Sequence, residues 1–313
     1  MDFLNTFINV LMVVVLAVPG YFLRKAKLLP ENTAGIFAVL LLYISQPFLM
    51  MSSLFDKKFE SSMLLDFAWI LLFAVVLQLL VYFAAKLFFV KEKDMAAKRA
   101  CEACSYLGNV GFMGIPVMQM LFPDNPEMIL YTVVYNIAFN AMTWTLGVFA
   151  VTGERKFVKP LKVILNPPTI AVIIALPLFF CNVAIPEQVM TPIRYLGDMT
   201  LPLSMIILGL RLADMRLISL VNDWKVYMVA FVKLIVSPLL CLGVLILCGL
   251  FLPIGRTAVI ALYIIAAMPT ASSALNFAEM YGGAKETAAA ATLMNTILCI
   301  ATIPILMLLT QFV

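Results

Sequence analysis

From Phe67 to Ala85 the chain carries no charge, and the single amide of Gln78 interrupts an otherwise apolar and aromatic run. A helix of about 20 such residues spans the hydrocarbon core of a bilayer. In lipid every backbone N–H and C=O must be paired inside the structure, so only helices and closed barrels survive there. Similar segments recur along the chain. Hydropathy places spans at 3–23, 35–54, 63–90, 97–121, 127–151, 160–181, 190–211, 222–251, 257–281 and 286–311. The whole chain is 64% hydrophobic and 12% charged, with a mean hydropathy of +1.06. Soluble domains carry about 25% charged residues. These values predict an all-α polytopic membrane protein with ten transmembrane helices.

The basic residues set the expected orientation, because cytoplasmic loops collect Lys and Arg. Odd-numbered spans are followed by Arg24, Lys25 and Lys27; Lys91, Lys93, Lys98 and Arg99; Arg155, Lys156, Lys159 and Lys162; Arg211, Arg216 and Lys225; and Lys285. The opposite side holds only Lys57, Lys58, Arg194 and Arg256. Odd loops are therefore expected inside and both termini outside, in the cytoplasmic (inner) membrane. No bases precede the first apolar run, so it reads as a span and not as a cleaved signal. The net charge of +4 then marks topology and not a nucleic-acid partner. Six cysteines form no loop framework. The Cys101–Cys104 pair has neither a second pair nor any histidine to complete a metal site. No metal and no cofactor is expected.

The two halves correspond. Pro47 and Pro202, Pro116 and Pro269, and Asn136 and Asn295 are separated by nearly equal stretches, each about half the chain. Five spans per half is an odd number, so the second copy must enter the membrane upside down. This predicts an inverted 5+5 repeat, with 1–151 as the first unit, 152–159 as a short cytoplasmic linker and 160–313 as the second.

Two segments are poor continuous helices. Gly108-Asn109-Val110-Gly111-Phe112-Met113-Gly114-Ile115-Pro116 lies in span 4, and Met268-Pro269-Thr270-Ala271-Ser272-Ser273-Ala274-Leu275-Asn276 in span 9. Paired interruptions at corresponding positions of two halves point to the binding site of a secondary transporter. Glycines at every third position also suit a tight packing seam, but Pro116 and the polar run after Pro269 favour true breaks. Half-helix N-termini would offer unpaired N–H donors and a partial positive charge to a carboxylate. Half-helix C-termini would offer carbonyls to Na⁺ or water. Expected pocket residues are Asn109, Gly111, Ile115, Pro116, Pro269, Thr270, Ser272, Ser273, Asn276, Asn136 and Asn295, with Asn140, Gln46 and Ser204 nearby.

Lys233 lies near the middle of span 8, where a lysine costs about 2.5–3.5 kcal/mol to insert. It is expected to face the interior, as a substrate ligand or a built-in cation. With no histidine present, the protonatable groups inside the spans are Lys233 and a few carboxylates. Asp198, close to Pro202, is the first choice for coupling, and Glu279 joins it. Glu102 is expected to be interfacial and solvated.

The motifs GNVGFMGIP, LGDMTLPLSMIILGLRL, Lys233 with Pro238, and AAMPTASSALNFAEMYGG with ATLMNTILCIATIPIL resemble the auxin efflux carrier family over essentially the whole chain. The long hydrophilic loop of the plant carriers is missing, which makes the chain similar to the short bacterial members described as malonate or malate permeases. The resemblance implies the architecture of the Na⁺/H⁺ antiporters and bile-acid symporters. In that scheme spans 1, 2, 6 and 7 form a scaffold, spans 3–5 and 8–10 form a transport domain with crossed discontinuous helices 4 and 9, and the two move as an elevator. It further implies small organic anions as substrates and a homodimer.

The expected function is secondary transport of small mono- or dicarboxylates, with Na⁺ or H⁺ as the coupling ion and membrane lipid around the protein. Two alternatives stay open: a Na⁺-coupled symporter of a larger amphipathic anion, and an auxin-like weak-acid exporter. An enzyme is not expected, because no HExxH or GxSxG motif and no soluble domain is present.

Overall fold

The computed structural model describes residues 3–56, 58–214 and 223–312. Lys57 and Arg216, two of the loop bases, lie outside the described residues, as does the first residue of span 222–251. The described chain is helical throughout, with one isolated two-residue β-bridge and no strand. Thirteen helices suffice to describe it, numbered in chain order. They are α1 (Phe3–Lys25), α2 (Thr33–Phe55), α3 (Met63–Phe88), α4 (Met95–Tyr106), α5 (Val110–Leu121), α6 (Pro126–Thr152), α7 (Pro160–Ile164), α8 (Pro167–Phe180), α9 (Glu187–Asp214), α10 (Trp224–Gly249), α11 (Arg256–Ala266), α12 (Ser272–Tyr281) and α13 (Lys285–Gln311). Seven of these, α1, α2, α3, α6, α9, α10 and α13, are 23 to 28 residues long and apolar enough to cross a membrane. The remaining apolar segments are in pieces. Segment 97–121 divides into α4 and α5, 257–281 into α11 and α12, and 160–181 into α7 and α8.

Local chemistry sets the helix ends. The Asp94 carboxylate accepts from the N–H groups of Ala96 (2.9 Å) and Ala97 (3.3 Å) at the start of α4. Asn125 caps α6 through Glu127 N–H, and Asn166 caps α8 through Thr169 N–H. Each side-chain oxygen thus satisfies a backbone donor that the first turn leaves open. Gly153 and Gly282 stop α6 and α12 in the left-handed region, at φ 71° and 77°, a conformation glycine enters without the steric cost of a Cβ.

Three prolines inside helices leave a common signature. Pro47, Pro116 and Pro238 each follow a π-helical turn, at Leu41–Ser45, Val110–Gly114 and Val232–Val236. A proline ring has no N–H and crowds the carbonyl four residues back. Widening that turn relieves the crowding while the helix continues. For Pro116 the displaced carbonyl belongs to Phe112, and the hydroxyl of Ser204 on α9 donates to it at 3.4 Å.

Packing brings the first half of α1 against α13, its second half against the second half of α9, and the end of α2 against α8 and the first half of α9. Elsewhere α3 packs on α6 and α4, α10 on α11 and α13, α4 on α13, and α11 on α6. Asp66 of α3 pins one junction in this second set. Its carboxylate accepts from the Tyr131 hydroxyl of α6 at 2.7 Å and from Gly255 N–H, at the start of α11, at 3.3 Å. Outward faces are apolar, as on α3, where Leu64, Leu72, Phe83 and Leu87 are exposed. Glu102, by contrast, is 4% exposed. The expectation of a solvated carboxylate there is corrected, because α4 is enclosed by α3, α10 and α13 and has no outer face at that position.

Candidate functional site

Two gaps in helical structure meet at one place. Between α4 and α5 the chain is extended through Leu107, Gly108 and Asn109, and between α11 and α12 through Pro269, Thr270 and Ala271. The two stretches run antiparallel. Asn109 N–H donates to the Pro269 carbonyl at 2.7 Å, and Ala271 N–H donates to the Leu107 carbonyl at 2.9 Å. Backbone that loses its helical partners inside a membrane must find others, and here each break supplies the other. Thr270 tightens the junction. Its hydroxyl donates to the Cys104 carbonyl at 2.7 Å and accepts from the Asn295 amide at 2.5 Å.

The four helix ends at this junction differ in what they face. The starts of α5 and α12 face a cavity of about 430 Å³ that Gly108 to Phe112 and Ala271 to Ser273 help to line. Both ends carry the positive pole of a helix dipole and first-turn N–H groups. The end of α11 is occupied instead: the fully enclosed ammonium of Lys233 donates to the Ala266 carbonyl at 3.1 Å. A cation at a helix C-terminus offsets the negative pole. The same ammonium leaves little room beside Gly108, where a Cβ would lie 3.1 Å from Nζ.

Of the residues expected at the site, Asn109, Gly111, Asn136, Ser272, Ser273, Asn276 and Glu279 line the cavity, as do Gln46, Asn140 and Ser204. Gly111 permits the closest approach. A Cβ there would run into the Gln46 amide and sit 3.3 Å from the Asn136 amide. Ile115, Pro116, Pro269, Thr270 and Asn295 do not line the cavity; they build the crossing behind it. Lys233 is likewise outside it, bordering a separate void of about 20 Å³ on the other side of Gly108. Asp198 is exposed at the end of the first half of α9 and does not reach the cavity. Of the two roles expected for Lys233, its position fits the built-in cation and not the substrate ligand, and Asp198, expected as a coupling group, lies away from the cavity.

Sequence reasoning missed Arg211. It had been counted as a loop base, yet α9 continues to Asp214 and carries Arg211 into the cavity wall. Its Nη2 donates to Asn276 Oδ1 at 2.8 Å and lies 4.0 Å from Glu279 Oε2. The signal was present. Ser204, Ile207, Leu208 and Arg211 follow the three-and-four spacing of one helix face, and all four line the cavity.

These features define a multi-pass helical membrane protein with two interrupted helices crossing beside a cavity that sets a few polar side chains in a largely apolar wall. The sequence profile of the membrane transport protein family matches residues 5–160 and 154–307. The chain thus belongs to this family, the auxin efflux carriers. A relative is a transporter of Methanocaldococcus jannaschii named as uncharacterised, 27% identical over 242 residues that cover 73% of this chain and 75% of that protein.

Proposed function

We propose that the chain is a secondary carrier of small organic anions, mono- or dicarboxylates such as malonate or malate. One observation carries this reading: the N-terminal ends of α5 and α12 converge, beside the crossing, on a cavity whose largely apolar wall carries asparagine, serine and arginine side chains. Two positive helix poles with open N–H groups favour a carboxylate. The asparagine and serine side chains around them supply directed hydrogen bonds.

An inverted 5+5 repeat with ten spans accounts for the packing. The contact of α4 with α13 mirrors that of α11 with α6, and each pairs a broken helix of one half with the last span of the other. In this reading α1, α2, α7, α8 and α9 form the scaffold. The remaining helices form a unit that carries the crossing and slides past the scaffold, exposing the cavity to each side in turn. The loop bases favour both termini outside the cytoplasmic membrane.

Uptake of radiolabelled malonate, malate and indole-3-acetate into proteoliposomes tests this. Na⁺, proton and voltage gradients imposed separately name the coupling. Pro269→Ala restores an N–H at the break between α11 and α12 and favours continuous helix there, while Pro116→Ala restores one inside α5 and removes the cause of its widened turn. Both variants should insert normally and lose saturable uptake. Transport retained by both would remove the crossing from the mechanism.

A further inference from the structure

Within this anion-carrier reading, on which the inference rests, the cavity contains a guanidinium whose hydrogen bonding is incomplete. Arg211 has a side chain only 16% exposed. Its Nη2 is engaged by Asn276, while Nη1 is buried with no hydrogen-bond partner among the described residues. Native structures leave few buried polar groups unpaired, and a cationic donor is among the costliest to leave so. The neighbouring carboxylate does not fill the gap. Glu279 Oε2 stands 4.0 Å from Nη2, within ion-pair range but beyond a hydrogen bond, and its side chain is 49% exposed. The Ser273 hydroxyl and the Asn140 amide nitrogen, also on the cavity wall, are buried without partners as well. The Thr143 hydroxyl, on the same wall, is also buried with no partner among the described residues, so four donors of one cavity are open and one of them is charged.

We propose that Arg211 is the carboxylate anchor of the cavity and that Glu279 is its internal competitor, so that a substrate carboxylate and Glu279 hold the guanidinium in turn. The guanidinium has a planar fork of donors that matches a carboxylate. Asn276 fixes the orientation of that fork, since a guanidinium can only donate and so holds the amide oxygen toward itself. Ser273 and Asn140 then receive the hydroxyl or second carboxylate of the ligand. Arg211 belongs to α9, whereas Asn276 and Glu279 belong to α12, across the cavity. An arriving anion therefore displaces the ion pair that links the two helices.

Malonate titrated against the purified full-length carrier, followed by the fluorescence of Trp144 on the cavity wall, tests both parts. Arg211→Gln removes a charge-assisted bond and should weaken binding about 10- to 100-fold. Arg211→Lys keeps the charge without the fork and should fall between that variant and the parent. Glu279→Gln removes the competitor and should tighten binding several-fold. Arg211→Gln binding within about threefold of the parent overturns the anchor. Unchanged or weaker binding in Glu279→Gln overturns the competition. Should Arg211→Gln fail to melt cooperatively, Arg211→Lys and Glu279→Gln decide by the same criteria. A parent that binds none of malonate, acetate and indole-3-acetate overturns the anion reading and the anchor together, whereas binding that ignores Arg211 removes the anchor alone.

Discussion

Gly111 carries no side chain, and that is its contribution. It lets the Gln46 amide and the Asn136 amide approach the first turn of α5. The atom that a Cβ would strike is the far end of the glutamine side chain, which can swing aside, whereas Asn136 is fully enclosed. Gly111→Ala should therefore leave the melting temperature within a few degrees of the parent yet reduce anion uptake, because Gln46 is pushed into the cavity. Equal losses of stability and uptake would mean that the contact is structural instead. Residues also mark the limit of what the sequence made legible. Asn109, Ser272, Ser273 and Asn276 were readable because helix-breaking neighbours identify the chain segment, and that segment is the wall of the cavity. Arg211 reads as a loop base because α9 runs on to Asp214, past the end that hydropathy gives it, Asp198 lies short of the stretch of α9 that lines the cavity, and the surroundings of Lys233 depend on the rotation of α10 about its axis. Charge and depth do not encode that rotation. Lys233 does face the interior, but toward the carbonyl of Ala266 and not toward the cavity.

Helices in a bilayer gain little from burying apolar surface against each other, so close approach and van der Waals contact hold them together. The seam between α1 and α9 uses glycine on both sides. A Cβ at Gly209 would strike the Ala17 carbonyl oxygen, and one at Gly20 the Ile206 carbonyl oxygen. Backbone cannot swing away as a side chain can. Overpacking of this kind costs about 1–3 kcal/mol, and Gly209→Ala should lower the melting temperature accordingly. Gly243 of α10 has nothing within 4 Å of its Cβ position. Gly243→Ala should instead be neutral or stabilising by up to about 1 kcal/mol, the difference in helix propensity. Thermal melts of the two variants, run side by side in one detergent, check the pair; a similar response in both would refute the seam. At this scale the sequence was most informative, since apolar length marks long helices clearly. The π turns ahead of Pro47, Pro116 and Pro238 were less legible, because proline reports a disturbed helix without saying whether it kinks, breaks or widens.

At the scale of the whole molecule, sliding of one helix group past the other requires the contacts between them to be few and breakable. The bond from the Ser204 hydroxyl to the Phe112 carbonyl is such a contact, at 3.4 Å and shared with a second acceptor, the Leu201 carbonyl, at 2.9 Å. The pair of Arg211 with Asn276 and Glu279 is another. Both join α9 to one of the two interrupted segments, and both flank the cavity. Under the proposed sliding mechanism the cavity lies on the boundary that shears, and substrate contacts on the two sides need not survive the movement together. A covalent link across that boundary would separate sliding from a local gate. Cysteines at Ser204 and Phe112, in a background lacking the exposed Cys181 and the half-buried Cys248, can be joined by a short thiol-reactive linker. Sliding requires that uptake be abolished once the link forms and return when it is reduced, with malonate binding kept within a few-fold throughout. Full uptake with the link demonstrably in place would rule out rigid sliding and leave transport to rearrangement within the cavity wall itself.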